Sequence, residues 1–77
     1  MQIETIGKYQ LHLIAHELPG TRGWHPYVSI HKFDDAAQDF ICVLDKHHAG
    51  DEALPSYDEA IDMARRVGTA LLEKGNL

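Results

Sequence analysis

Between Lys8 and Leu18 the apolar residues Tyr9, Leu11, Leu13 and Ala15 alternate with Gln10, His12, Ile14 and His16. That two-residue period predicts a strand with one face buried. Ile3 and Ile6 precede it and are placed to extend it or to lie along its edge. Pro19-Gly20-Thr21-Arg22-Gly23 is a dense turn signal. Trp24 to Phe33 then reads as a second strand, with Val28 and Ile30 on one face and Tyr27, Ser29, His31 and Phe33 on the other. Pro26 has no backbone donor, which suits a sheet edge or a strand entrance. Asp34 to Asp39 is a polar connection of hairpin length, and Phe40 to Leu44 is an unbroken apolar run that predicts a third, well-covered strand. His47 to Pro55 reads as a loop.

The period then changes to that of a helix. Ser56 and Glu59 have the spacing of a capping box, in which the hydroxyl accepts from the Glu59 N–H and the carboxylate reaches back to the Ser56 N–H. Asp58, Glu59 and Asp62 follow near the positive end of the helix dipole, where structure alone accounts for them. The helix is predicted over about residues 57 to 74, with Gly75 as a left-handed stop. Ala60, Met63, Ala64, Val67 and Leu71 form the apolar stripe, widened by Ile61, Gly68 and Leu72. Ala60, Ala64 and Gly68 make a small-residue seam, and Gly68 costs roughly 1 kcal/mol of helix propensity. Close packing on the sheet is the expected compensation, because this helix is the only one available to cover the core. The predicted fold is α+β: one domain over residues 1–77, a three-stranded antiparallel sheet in the order β-β-β-α, with the C-terminal helix on one face.

A 77-residue chain lies near the lower limit for a core that holds itself together. A second copy would help. The single Cys42 excludes an internal disulfide and a cysteine-based zinc site; it reads as a core thiol in a reducing, cytoplasmic setting. Met1 to Tyr9 lacks a basic stretch followed by an apolar core, and no apolar segment approaches the roughly 20 residues that span a bilayer. A soluble, unprocessed protein with no membrane partner is expected. Twelve acids against seven bases give a net charge of −5, with no basic cluster beyond Arg65 and Arg66. Nucleic acid is thereby excluded as a partner, since binding it needs a basic stripe that releases counterions. Six histidines make this charge sensitive to mild acid.

One helix covers one face of a sheet and leaves the other bare. With Leu11, Leu13, Val28, Ile30, Ile41 and Val43 beneath the helix, Ile14, Tyr27, Phe40, Cys42 and Leu44 point away, interleaved with His12, His16, Ser29 and His31. This register follows from the alternation, and a one-residue slip would exchange the faces. A contiguous apolar patch on a small domain marks an interaction surface. Ile14, Tyr27, His31 and Phe40 are the candidate interaction residues, and a homodimer that buries them is the expected partner. The alternative is an N-terminal segment, with Ile3 and Ile6, folded across the patch.

Catalytic and metal chemistry find little support. His12 and His16 share a face but stand roughly 13 Å apart at strand rise. His16 with His25 across the hairpin, and His12 with His31, are closer pairings, so His12, His16 and His25 are weak metal candidates. His47 and His48, with Asp45, Asp51 and Glu52, form a second cluster. No H-E-x-x-H, Cys pair or phosphate-cradling glycine loop occurs. Cys42 with His31 and an acid lacks any feature that would activate the thiol. The reading is a non-enzyme with no cofactor. Trp24 and Tyr27 are a notable aromatic pair, with Trp24 closing one end of the core.

Gly23-Trp24-His25-Pro26-Tyr27-Val28-Ser29-Ile30 with Ser56-Tyr57-Asp58-Glu59-Ala60 resembles a group of small, uncharacterised bacterial stand-alone proteins, which share a G-x-W-x-P-x-V-x-I-like strand and an S/T-Y-x-E-A helix start. The resemblance implies a β-β-β-α domain and carries no catalytic residue. Leu18-Pro19-Gly20 and Asp58-Glu59-Ala60 are similar to elements of hic-type antitoxin domains. In those the L-P-G element lies closer to the helix and a DNA-binding region commonly follows, which this sequence lacks. That likeness implies at most an acidic inhibitor of a basic toxin.

Overall fold

The alternating segments fold as β1 (Gln2–Ile6), β2 (Tyr9–Glu17), β3 (Trp24–Asp34) and β4 (Asp39–His48), followed by α1 (Tyr57–Glu73), in a computed structural model that describes residues 1–17, 19, 20, 23–75 and 77. The strands form one antiparallel sheet whose spatial order, β1-β2-β3-β4, is their order in the chain. The expectation of three strands is corrected to four. Ile3 and Ile6 belong to β1, which pairs with β2 instead of crossing the open face. Gly7, at φ 58°, makes the tight turn between them. Leu18, at the end of the first predicted strand segment, and Thr21 and Arg22 of the predicted turn lie outside the described residues.

The β2–β3 register sets Leu11 opposite Ile30 and Leu13 opposite Val28, so all four side chains share the face beneath α1. All four are fully buried, each contributing about 1.5–3 kcal/mol of hydrophobic stabilisation. Against them α1 lays Ala60, Ile61, Ala64 and Gly68. A Cβ on Gly68 would stand 3.0 Å from Val28 Cγ2 and 3.3 Å from both Leu11 methyls. The seam therefore lets the helix axis approach the sheet, as the small-residue spacing predicts.

The helix start follows the capping-box spacing with one change. Glu59 N–H donates to Ser56 Oγ at 3.2 Å, but the Glu59 carboxylate accepts from the Ser56 hydroxyl rather than from its backbone N–H. Asp62 pairs with Arg66 at 3.4 Å and with Arg65 at 2.9 Å, and Arg65 Nε also reaches Glu4 at 2.8 Å. The Glu4 contact joins α1 to β1.

Several expectations fail on β4. This strand lies at the edge of the sheet and is mostly exposed, and it runs on through His48. Cys42 is exposed, not a core thiol. Leu44 does not point away from the helix: a register shift between Ile30 and His31 leaves an extra residue on β4, and Val43 and Leu44 both pack on the core. A second shift sets Asp45 and Lys46 against Ser29 alone; Lys46 takes φ 40°, and its N–H donates to Ser29 Oγ at 2.9 Å. Pro26 is the third residue of β3, near the strand entrance as expected, but it lies on an inner strand, buried opposite Ala15. Its carbonyl accepts from Ala49 N–H. Its missing donor therefore faces the segment beyond β4, where no ladder bond is required.

The segment after β4 closes this end of the sheet. Trp24 exchanges two backbone hydrogen bonds with Leu54, at 2.8 and 2.9 Å, and its ring meets Tyr57 edge-on at 5.4 Å. Gly23 takes φ 117°, and a Cβ there would stand 2.8 Å from the Leu54 carbonyl oxygen.

Candidate functional site: the open face of the sheet

The residues alternate to those of the core build the face that α1 leaves open. The register places Ile3, His12 and Ser29 in one row across β1, β2 and β3, with Ile14 opposite Tyr27, His16 opposite His25 and Gln10 opposite His31. On β4, Cys42 stands opposite His31, Phe40 opposite Phe33 and His48 opposite Tyr27. Opposed and diagonal side chains on one sheet face lie within reach of each other. His12 and His31 stack with ring centroids 4.1 Å apart. Tyr27 meets His16 at 5.5 Å and His48 at 4.9 Å, His25 lies over His48 at 6.0 Å, and Phe33 meets Phe40 edge-on at 5.3 Å. Lys46 Nζ sits 5.5 Å from the Tyr27 ring centroid, a cation–π contact made available by the second bulge.

These contacts explain why Ile14, Tyr27, His31 and Phe40 are half-buried although, among the described residues, no element lies over them. The rings cover one another. All four expected interaction residues lie on this face, but not in one cluster: Ile14 and Tyr27 are cross-strand partners near its middle, and Phe40 lies with Phe33 toward the β3–β4 turn. A shallow groove runs beside Ile14, lined by Met1, His16, Ser29, Asp45 and Lys46.

The three metal candidates separate. His16 faces His25, whereas His12 stacks on His31. His47 is opposite Val28 and His48 opposite Tyr27, so the predicted second cluster is divided between the two faces. Among the described residues, no group of three or more His, Cys, Asp or Glu is arranged to hold a metal ion. Burial lowers the His12 pKa below 6.5, and the neighbouring His31 lowers it further. Among the described residues, His25 Nε2 is buried without a hydrogen-bond partner.

Phe33 and Lys46 are not among the expected interaction residues, and His48 is expected from the sequence in a loop cluster instead of on this face. Phe33 was visible from its alternation with Ile30 and Val28. Reaching Lys46 and His48 required the bulges, which have no signature in the β4 sequence. No protein-family model, curated protein or solved structure matches the chain. No described helix is long and apolar enough to cross a membrane.

Proposed function

We propose that this chain is a non-enzymatic interaction module that associates with a second copy of itself through the open sheet face. The observation that carries the proposal is the band of mutually packed side chains, Ile14, Tyr27, His16, His48, His12 and His31, on a face that no element covers among the described residues. A two-fold contact there gives a domain of this size a second apolar layer. The likeness to small stand-alone bacterial domains belongs to the same reading, as does a cytoplasmic setting, which a lone thiol suits. Light scattering tests the contact. Tyr27→Ala with Phe40→Ala is expected to reduce the assembled mass at least twofold while leaving the fold intact; an unchanged mass would remove the open face from the interface. Association is also expected to weaken as pH falls below about 6.5 and His12, packed in this band, gains its proton.

A second reading, an acidic module that docks on a basic protein, is supported by the net charge of −5. Salt separates the two. Charge-driven docking falls steeply with ionic strength, whereas burial of the aromatic band does not.

A further inference from the structure

The two edges of the sheet are finished differently. β4 carries two register shifts, a left-handed Lys46 and exposed Asp39, Asp45 and Lys46. Bulges and edge lysines of this kind prevent a foreign strand from pairing. β1 has none of these devices: its pairing with β2 is regular, and its sequence Gln2-Ile3-Glu4-Thr5-Ile6 contains no Pro, Lys or Gly. It also concentrates exposed apolar surface. Of the four large hydrophobic residues that stand most exposed among the described residues, Met1 (71%), Ile3 (53%) and Ile6 (43%) lie on or beside β1, and Ile41 alone lies on β4. Since α1 rides over β2 and β3, the helix side leaves the outer edge of β1 uncovered.

We propose that β1 pairs antiparallel with β1 of a second copy, joining two four-stranded sheets into one of eight strands. The strand is its own complement. With Ile3 on the two-fold axis, Ile3 meets Ile3 on the open face, and Gln2 of each copy stands opposite Glu4 of the other on the helix face. The amide then donates to a carboxylate already held by Arg65 at 2.8 Å. A register centred on Glu4 would instead oppose two carboxylates, which is destabilising. Glu4 is the one charged residue of the strand, so the chosen register leaves no like-charge pair across the join. The axis of this contact is perpendicular to the sheet, and both helices stay on the same side. The axis of a contact between open faces lies in the sheet plane. The two contacts are independent, and where their axes intersect they generate a four-chain assembly of D2 symmetry, with two eight-stranded layers inside and helices outside.

Cross-linking and amide exchange test the edge contact. In a Cys42→Ser background, Ile3→Cys is expected to give a disulfide-linked dimer under mild oxidation, and Ile41→Cys, on the other edge, to remain a single chain. The Ile3→Cys cross-link is expected to persist when Tyr27→Ala and Phe40→Ala are added, which separates edge pairing from the open-face contact. In the unaltered protein every N–H from Ile3 to Thr5 is expected to be protected from exchange. Alternating fast and slow exchange along β1, as on a free edge, would overturn the proposal. So would equal cross-linking at Ile3 and Ile41. If the open-face reading alone fails, the unaltered protein is an edge dimer that still cross-links at Ile3; if the edge alone fails, it is a dimer that Tyr27→Ala and Phe40→Ala dissociate and Ile3→Cys does not link.

Discussion

On the helix side of β2 and β3, Leu11, Leu13, Val28 and Ile30 are fully buried. One residue along each strand, His12, Ile14, Tyr27 and His31 remain half exposed. The backbone is shared and the hydrogen-bonded ladder is shared, so the difference comes from what lies on each side. The buried face exchanges water for a helix whose small residues fit against it. The open face exchanges part of its water for its own neighbouring rings, and a remainder stays available for contact. One face of the sheet is closed by the helix, and the other keeps partly exposed apolar surface, which the proposed self-association would bury.

Substitutions that separate the two faces sharpen this comparison. The largest effect is expected for Leu13→Ala, which leaves a cavity under α1: a loss of about 2–5 kcal/mol in urea denaturation, with assembly affected only through stability. A loss below about 1 kcal/mol would show that the core collapses around the gap. Gly68→Val drives two methyls into Val28 and Leu11 and is expected to cost about 1–3 kcal/mol by overpacking. On the open face, Ile14→Thr is expected to cost about 1 kcal/mol or less in the dissociated chain, yet to weaken association measurably in sedimentation. If Ile14→Thr destabilised the single chain as much as Leu13→Ala, the distinction between the faces would fail.

The smallest expected effect is a pH slope. The folded-state pKa of His12 lies below its ordinary value of 6.5. As pH falls, the unfolded chain therefore takes up this proton first. The His12 contribution to stability is full above about 6.5 and declines as pH falls toward the folded pKa. Denaturation of the dissociated chain at pH 7.5 and 5.5 should show this decline, and His12→Gln should reduce it. An identical slope in the variant would assign the pH response to other groups.

How much of this was legible in the sequence depends on whether the signal is local. Ser56, Glu59 and the stripe from Ala60 to Leu71 place the helix and its buried side within a few residues of the observed bounds, because capping and period act over one or two turns. The alternation in β2 and β3 likewise assigns Leu11, Leu13, Val28 and Ile30 to one face. β1 is less legible. Its five residues, Gln2 to Ile6, hold only two large apolar side chains, and the turn at Gly7 gives a weak signal next to Pro19-Gly20. The unbroken apolar run of β4 does not reveal whether the strand lies inside the sheet or at its edge, because Phe40 to Leu44 reads the same in either place. Where β4 slips against Ser29 and Ile30 is settled by pairing with β3. Glu4 and Arg65 lie 61 residues apart, and nothing near either announces the other.

The strand order also bears on how quickly the fold is reached. Because β1, β2, β3 and β4 neighbour one another in space as they do in the chain, each pairing closes a short loop, and no strand must be threaded between two others already in place. Loop-closure entropy is correspondingly small at every step. The longest closure is the docking of α1, whose partners Leu11 and Val28 come from strands far back in the chain. We expect the hairpins to form first and the helix to lock them, so that the rate-limiting barrier lies at helix docking.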